Sequence, residues 1–324
     1  MMDIKYGRKR SGIRRELKKK IEEWLDTIDN VDIQAAARND VIVTGGSIAS
    51  MLLGDPVNDF DVYFRTKETT KLVADYYVNK FKAKNKKKKV GENVKDVEIY
   101  TKEEQIENIK GEWETRVVIY IKSVGLVSED KDDSKKETPY RYFESMGEDA
   151  VADYVESELK ERAEDDSKEK YRPVFLSQNA ITLSNKIQLV IRFYGEPDKI
   201  HSNYDFVHAT SYWDHKKEVL NIPAEAMESL LSRTLVYRGS LYPVASIFRT
   251  KKFLERGWRI SAGEQLKMMW QISEIDLTDI HTIREQLTGV DMAYLWEVIE
   301  VLSKENKDKI NSTYIAEIID RIFN

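Results

Sequence analysis

The chain has 324 residues, of which 41% are hydrophobic and 34% charged, and its formal net charge at pH 7 is -5. This length is enough for two domains with hydrophobic cores. The lack of cysteine excludes disulfides and thiolate metal sites, and the 4 scattered histidines give no zinc-binding spacing. Because no signal region and no apolar run of membrane-spanning length is visible, we expect a soluble, cytoplasmic protein.

The first predicted element is a helix from about Ile13 to Ile28, where apolar residues recur at helical spacing. Its beginning is basic, with eight Lys or Arg in residues 8–20, and residues 81–89 hold six lysines. Such runs can contact a nucleic-acid phosphate backbone. Segments 5–20 and 80–89 are therefore predicted to contact RNA, and a solvated surface is the alternative.

A glycine turn follows the first predicted strand, Val41 to Thr44, which is short and rich in β-branched residues. Gly45 and Gly46 allow a ligand to approach the backbone closely. Ser47 is expected to cap a helix from Ile48 to Leu53, whose N-terminal amides and dipole favour an anion. The turn is therefore predicted to bind phosphate.

Two aspartates lie at the start of the next predicted strand. The period of a strand places Asp59 and Asp61 on one face and Phe60, Val62 and Phe64 on the other. Neighbouring carboxylates repel each other unless a cation lies between them, and Mg²⁺ is the usual cation beside substrate phosphates. The turn or the acid pair alone is more often structural, but together they predict a metal-dependent nucleotide-transfer site.

The run from Gly45 to Val62 resembles the signature of the polymerase β-like nucleotidyltransferase superfamily. It is most similar to the head domain of poly(A) polymerases and CCA-adding enzymes, which share Gly-Gly, a later Leu-Leu-Gly and Asp-x-Asp-Val. Those enzymes usually carry Arg-Asp where this chain has Ala49 and Ser50. The resemblance implies transfer of a nucleoside monophosphate from an NTP to an acceptor hydroxyl, preferably an RNA 3′ end, with release of pyrophosphate and with Mg²⁺ or Mn²⁺ as cofactor.

That superfamily uses a third carboxylate from a later strand, and two acids compete for this role. Asp205 lies near the start of a predicted strand from Tyr204 to Thr210, and Glu98 lies in another apolar run. We favour Asp205, because the sequence after it continues to resemble the family. Asp59, Asp61 and Asp205 are thus the predicted catalytic residues and metal ligands, and we expect them to converge while Glu98 lies apart.

The resemblance also implies nucleotide-binding residues. Gly45, Gly46 and Ser47 would bind the β and γ phosphates. A predicted helix from Tyr242 to Arg256 resembles the family's neck helix, in which basic residues approach the nucleotide. The candidates on it are Arg249, Lys251 and Lys252, with Arg249 and Lys252 preferred, and a solvated basic face is the alternative.

The order of elements predicts an α+β fold: a polymerase β-like nucleotidyltransferase head with a mixed sheet, followed by a helical C-terminal domain. We divide the chain into a basic N-terminal helix (1–30), a core (31–220) and the helical domain (221–324). The core carries a predicted insertion at about 101–170, which includes a strand at Thr115–Lys122 and an acidic helix at Tyr142–Arg162. This insertion is interpreted as a lid or a surface for a partner. Ser184 and Asn185 form a predicted tight turn before a strand that ends at Phe193.

Further helices are predicted at Lys67–Phe81, Ala224–Leu231, Ala262–Ser273, Ile280–Leu287, Met292–Ser303 and Thr313–Phe323. Met268, Met269 and Trp270 are expected to pack in the core. Two other functions remain open: a catalytically retired fold that serves as a binding or structural subunit, and a transferase that modifies a protein or a small molecule.

Overall fold

The computed structural model describes residues 7–86, 99–107, 111–120, 125–128, 140–142 and 169–279, with isolated positions at 282, 283, 286, 313 and 317. The helices are α1 (Arg10–Leu25), α2 (Val31–Asp40), α3 (Gly46–Leu53), α4 (Lys67–Lys86), α5 (Pro197–His201), α6 (Ala224–Ser232), α7 (Pro243–Glu255) and α8 (Ala262–Ser273). The strands are β1 (Val41–Thr44), β2 (Phe60–Phe64), β3 (Tyr100–Glu107), β4 (Trp113–Tyr120), β5 (Gly125–Ser128), β6 (Tyr140–Tyr142), β7 (Pro173–Ser177), β8 (Ala180–Leu183), β9 (Ile187–Tyr194), β10 (Tyr212–Asp214), β11 (Val219–Asn221), β12 (Thr234–Leu235) and β13 (Arg259–Ile260).

A mixed sheet of nine strands forms the centre of the molecule, in the order β11-β10-β1-β2-β9-β8-β7-β5-β6. Within it β2 and β9 are parallel, and the other neighbouring strands are antiparallel. β3 and β4 form a separate ribbon, and β12 pairs with β13. The predicted α+β class and the mixed sheet are confirmed.

The two faces of β2 differ in the way that its alternation predicts. Phe60, Val62 and Phe64 are buried in the main core, together with the apolar stripe of α1. Tyr63 lies on the opposite face, in a smaller cluster with Ile42 of β1. Because the apolar face anchors β2 in the core, the other face can carry polar groups without loss of packing.

α2 is a helix that the sequence reasoning missed. Its N-cap is Asn30, whose side chain accepts hydrogen bonds from the amides of Asp32 and Ile33. An Asn at this position is a common helix-start signal. That signal could have identified α2, although only Ala37 of this helix is buried.

The segment from Tyr204 to Thr210 is not a strand, and this prediction is wrong. Phe206 makes an isolated bridge to Tyr237, a 3-10 turn follows at Val207–Ala209, and β10 begins only at Tyr212. The carbonyl of Ala209 accepts from the amide of Gly45. The segment therefore bends against the glycine turn instead of extending the sheet.

The predicted insertion contributes strands to the sheet. β4 confirms the predicted strand, and β5 and β6 extend the sheet beyond β7. Tyr142 ends β6, so the acidic helix does not begin there. The remainder of that helix, Glu98 and the helix predicted at Met292–Ser303 lie outside the described residues. Of the helix predicted at Thr313–Phe323, only positions 313 and 317 are described, and the domain limits stay predictions.

The later predicted elements are confirmed where the structure describes them. β9 follows a turn in which Asn185 and Lys186 have positive φ, and α6, α7 and α8 lie within a residue or two of their predicted bounds. Met268 is buried, whereas Met269 and Trp270 are exposed. The prediction that these two residues pack in the core is therefore wrong. In the part of the chain that can be described, no helix has the length and apolarity to cross a membrane.

Basic side chains of α1 contact the chain's own acceptors. Lys18 lies 2.5 Å from a Glu218 carboxylate oxygen, and Arg10 donates to the carbonyl of Leu220 at 2.6 Å. In the second basic segment, Lys80 pairs with Glu169 at 2.7 Å. These contacts hold α1 and α4 against the rest of the fold, and RNA contact by segments 5–20 and 80–89 stays a prediction.

Candidate active site

The turn after β1 requires glycine at its first position. Gly45 is buried, has φ +95°, and is the N-cap of α3. A Cβ atom on Gly45 would lie 2.9 Å from Oδ2 of Asp61 and 3.4 Å from the hydroxyl oxygen of Tyr204. Both the backbone conformation and the space therefore exclude a side chain here.

The start of α3 is open on its outer side. Gly46 is exposed, and a Cβ on it would meet no atom of the described residues within 4 Å, apart from its chain neighbours and the backbone of its own helix. Ser47 is buried, and its Oγ has no hydrogen-bond partner among the described residues. The predicted cap by Ser47 is wrong, because Gly45 holds that position. First-turn amides and an unused hydroxyl suit a phosphate group.

Asp61 lies in the middle of the sheet. It is opposite Thr44 on β1 and Gln188 on β9. Burial, and then the neighbouring carboxylate of Asp59, raise its pKa well above the ordinary value. None of the described residues donates a hydrogen bond to the Asp61 carboxylate. Within this part of the chain, no donor therefore stabilises its negative charge.

Asp59 precedes β2 at the exposed edge of the site. Its pKa is also raised, chiefly by desolvation, and a backbone hydrogen bond and the charge of Lys186 oppose this shift. The charge of Asp59 acts on Asp61, so the two acids are close enough to interact. A divalent cation would satisfy both, so the residues present fit the implied Mg²⁺.

These raised pKa values predict how stability depends on pH in the absence of divalent metal. An acid whose pKa is higher in the folded than in the unfolded chain binds more protons when folded, so stability falls as pH rises through that interval. Asp61→Asn removes this penalty. We expect the melting-temperature gain of the variant over wild type, measured in EDTA, to be smallest near pH 4 and larger at pH 7. A gain in melting temperature that does not depend on pH would contradict the raised pKa of Asp61.

Two phenols lie beside Asp61. The hydroxyl of Tyr204 donates to that of Tyr63 at 3.1 Å. Burial raises the pKa of both phenols, and the charge of Asp61 raises them further. Both therefore stay protonated, next to the carboxylate. Sequence reasoning missed them, although the position of Tyr63, two residues after Asp61 on the same face, was a signal.

A buried hydrogen-bond network supports the end of β1. The Thr44 hydroxyl donates to the carbonyl of Ser211 at 2.9 Å and lies 2.8 Å from Nε2 of His201. Burial lowers the pKa of His201 to about 4, so the imidazole is neutral at physiological pH. This network fixes the backbone that leads into Gly45.

The three predicted metal ligands are not brought together. Among the described residues no group of three or more Asp, Glu, His or Cys side chains lies close enough to hold a metal ion. The neighbours of β2 are β1 and β9, and they place Thr44 and Gln188, rather than an acid, beside Asp61. Glu98 lies outside the described residues.

Asp205 instead forms an ion pair. Its Oδ2 lies 2.6 Å from Nη1 of Arg249, and the Asp205 side chain is 12% exposed. It is still near the site, because its charge and that of Asp61 both raise the pKa of Tyr204. Of the two preferred basic residues of α7, Arg249 turns inward, while Lys252 is exposed in the last turn.

Comparison with known proteins assigns the family. The model of the Gabija anti-defense 2 family matches residues 15–233, which is more than half of the chain. The chain belongs to this family. The matched range includes the glycine turn, Asp59, Asp61 and Asp205, whereas Arg249 and Lys252 lie beyond it.

Two individual proteins show weaker likeness. Gabija anti-defense 2 of Bacillus phage SPbetaL7 is 19% identical over 139 residues, which are 42% of this chain and 33% of that protein. The chain thus aligns with about a third of the length of this relative. A Thermotoga maritima CCA-adding enzyme complexed with tRNA aligns with 93% of this chain and 55% of its own, at 13% identity and a TM-score of 0.36, which does not establish a common fold.

Proposed function

We propose that this chain is a metal-dependent nucleotidyltransferase, which moves a nucleoside monophosphate from an NTP to an acceptor hydroxyl and releases pyrophosphate. One observation carries the proposal: Gly45, at the open start of α3, lies against the carboxylate of Asp61, to which no described residue donates a hydrogen bond. An anion site and a cation site are thus adjacent. This is the arrangement that a metal-bound triphosphate needs.

In this proposal, different residues of the chain bind the triphosphate and the metal ion. The amides at the start of α3 and the Ser47 hydroxyl bind triphosphate oxygens, and Gly46 leaves room for them. Asp59 and Asp61 hold the divalent ion. When bound, Mg²⁺ offsets the charge that develops on the phosphates and makes the acceptor hydroxyl easier to deprotonate. Because the Tyr204 phenol donates to Tyr63, the hydroxyl of Tyr63 is the further donor of this pair beside Asp61.

The family's description is Gabija anti-defense, and we propose that nucleotidyl transfer serves that role in this chain. An RNA 3′ hydroxyl is the first acceptor to test, from the sequence resemblance to RNA-extending enzymes. A protein or small-molecule hydroxyl is the second. The residues at the start of α3 support a position for the reacting phosphates, and the labelling experiment that follows addresses the acceptor.

A labelling experiment identifies the acceptor. The protein is incubated with each α-³²P-labelled NTP, Mg²⁺ or Mn²⁺, and extract from cells that express Gabija, and the products are digested with ribonuclease or protease. We expect a labelled macromolecule with wild type and none with Asp61→Asn. Label that ribonuclease removes identifies RNA, and label that protease removes identifies protein. A lack of label with every nucleotide contradicts transfer to these acceptors.

The ion pair of Asp205 favours a second candidate function. A chain whose third acid is permanently held by Arg249 would be a retired fold that serves as a binding subunit. Thermal unfolding with Mg²⁺ and NTP separates the two. A ligand at about 100 times its dissociation constant stabilises the folded state by about 2.7 kcal/mol, so we expect a clear upward shift in melting temperature. A stable chain with no shift favours the retired fold.

A further inference from the structure

The turn between β8 and β9 has an unusual backbone. Asn185 and Lys186 are consecutive residues with positive φ, +61° and +63°. Asparagine tolerates this conformation, whereas a lysine there carries a steric cost that glycine would avoid. The turn is held from the core side, because Nζ of Lys20 donates to the carbonyl of Asn185 at 3.2 Å and the amide of Tyr171 donates to the Asn185 side chain at 3.4 Å. A lysine kept at a strained position that is fixed by other residues points to a role for its side chain.

Lys186 contacts the chain on both sides of Asp59. Its Nζ donates to the carbonyl of Val57 at 3.2 Å, and its own carbonyl accepts from the amide of Phe60 at 2.8 Å. Asp59 lies between these contacts, at the end of a segment without regular structure that links α3 to β2. Among the described residues, no other side chain donates to the backbone of residues 57–59. The bond from Phe60 does not need the lysine side chain, but the bond to Val57 does.

We infer that Lys186 is a positioning residue for Asp59: by holding the carbonyl of Val57, it fixes the direction in which the Asp59 carboxylate meets the divalent ion. This inference rests on the proposed function. A binding group works well only when its surroundings hold it to within about 0.5 Å of the productive geometry. Asp61 receives that support from the paired strands β1 and β9, whereas Asp59 precedes β2 and lies outside the sheet. Lys186 gives Asp59 the support that the sheet gives Asp61.

The charge of Lys186 makes the positioning role separable from an electrostatic one. Desolvation raises the pKa of Asp59, and the charge of Lys186 opposes this shift, so the ammonium group acts on the carboxylate. A cation beside a metal ligand repels the metal ion, so loss of the charge alone should strengthen metal binding. Loss of the contact with Val57 should weaken metal binding, because Asp59 is then no longer oriented. The two roles therefore predict changes of opposite sign in metal affinity.

The test is Mn²⁺ affinity, measured by electron paramagnetic resonance without nucleotide, together with the melting temperature in EDTA. We expect Lys186→Met to bind Mn²⁺ roughly tenfold more weakly than wild type, as for the loss of a group that orients a metal ligand. Lys186→Arg keeps the charge and a donor and should restore most of the affinity. Lys186→Gly should bind Mn²⁺ as weakly as Lys186→Met but melt at a higher temperature than wild type, because glycine relieves the strain of the positive φ. Lys170→Met removes an exposed lysine beside the same turn and is the charge control, with wild-type affinity.

Mn²⁺ binding by Lys186→Met that is as tight as that of wild type, or tighter, would overturn the inference, because the lysine would then act through its charge or not at all. Weaker Mn²⁺ binding by Lys186→Gly with a lower melting temperature would also overturn it, since the lysine would then support the turn itself. If Lys186→Met fails to fold, Lys186→Gly and Lys186→Arg decide. Failure of the proposed function is distinct, because Asp59→Asn and Asp61→Asn would then bind Mn²⁺ as wild type does.

Discussion

Replacement of Asp61 by asparagine is expected to remove nucleotidyl transfer while the chain stays as stable as wild type or becomes more stable. Asparagine keeps the shape of the side chain, and the core contacts of β2 come from the opposite face, through Phe60, Val62 and Phe64. The substitution removes the cost of burying a charge and the repulsion by Asp59, which together raise the pKa of Asp61. It also removes a ligand that acts on the charged transition state, so transfer should fall by roughly two to three orders of magnitude.

Two measurements on one preparation check this expectation: the melting temperature in EDTA and the rate of label transfer with Mg²⁺. Asp32→Asn removes an exposed acid in the first turn of α2 and is the matched control, with wild-type behaviour in both. If Asp61→Asn unfolds the protein, the carboxylate is structural. If the variant transfers nucleotide at the wild-type rate, the metal site lies elsewhere.

The two adjacent glycines are expected to respond in opposite ways. Gly45→Ala should destabilise the fold by about 1–2 kcal/mol or more, because a Cβ meets Asp61 at 2.9 Å and φ is +95°. Gly46→Val should leave the fold nearly unchanged, because no described residue other than its chain neighbours and its own helix backbone has an atom within 4 Å of the new Cβ. The same open space is where we place phosphate, so this variant should bind NTP at least tenfold more weakly, a loss of about 1.4 kcal/mol.

Calorimetry measures both effects, by scanning for stability and by titration with non-hydrolysable NTP analogues and Mg²⁺ for binding. Gly257→Ala, at the exposed C-terminal end of α7, is a control for a glycine with positive φ away from the site. It should lose stability but keep nucleotide affinity. Unchanged nucleotide affinity in Gly46→Val would remove the argument for a phosphate at this turn.

The part of the site that the sequence predicted is the part that local rules determine. The alternation of β2 and the glycine turn depend on neighbours in sequence, and both are found in the structure. The burial of Ser47 with an unused hydroxyl agrees with a ligand-binding role, but its position inside α3 differs from the predicted cap. A shift of the helix start by two residues was enough to change that role.

What the sequence could not provide depends on distant contacts. The bend after Asp205 is fixed by hydrogen bonds to Gly45 and Val236, far away along the chain. The partner of Asp205 is Arg249, on a helix that begins 38 residues later at Pro243. A hydrophobic-acid-hydrophobic pattern is common to strands and to such bends. Only the fold shows that the acid points toward an arginine.

The measurement that tests the central claim most directly is a comparison of α-³²P and γ-³²P labelled NTP as donors, with wild type and Asp61→Asn. Nucleotidyl transfer leaves the α phosphate on the acceptor and releases the γ phosphate within pyrophosphate. We expect α label on the acceptor, γ label only in pyrophosphate, and neither product with the variant. Transfer of γ label to the acceptor, or equal α transfer by wild type and Asp61→Asn, would contradict a nucleotidyltransferase site at Asp59 and Asp61.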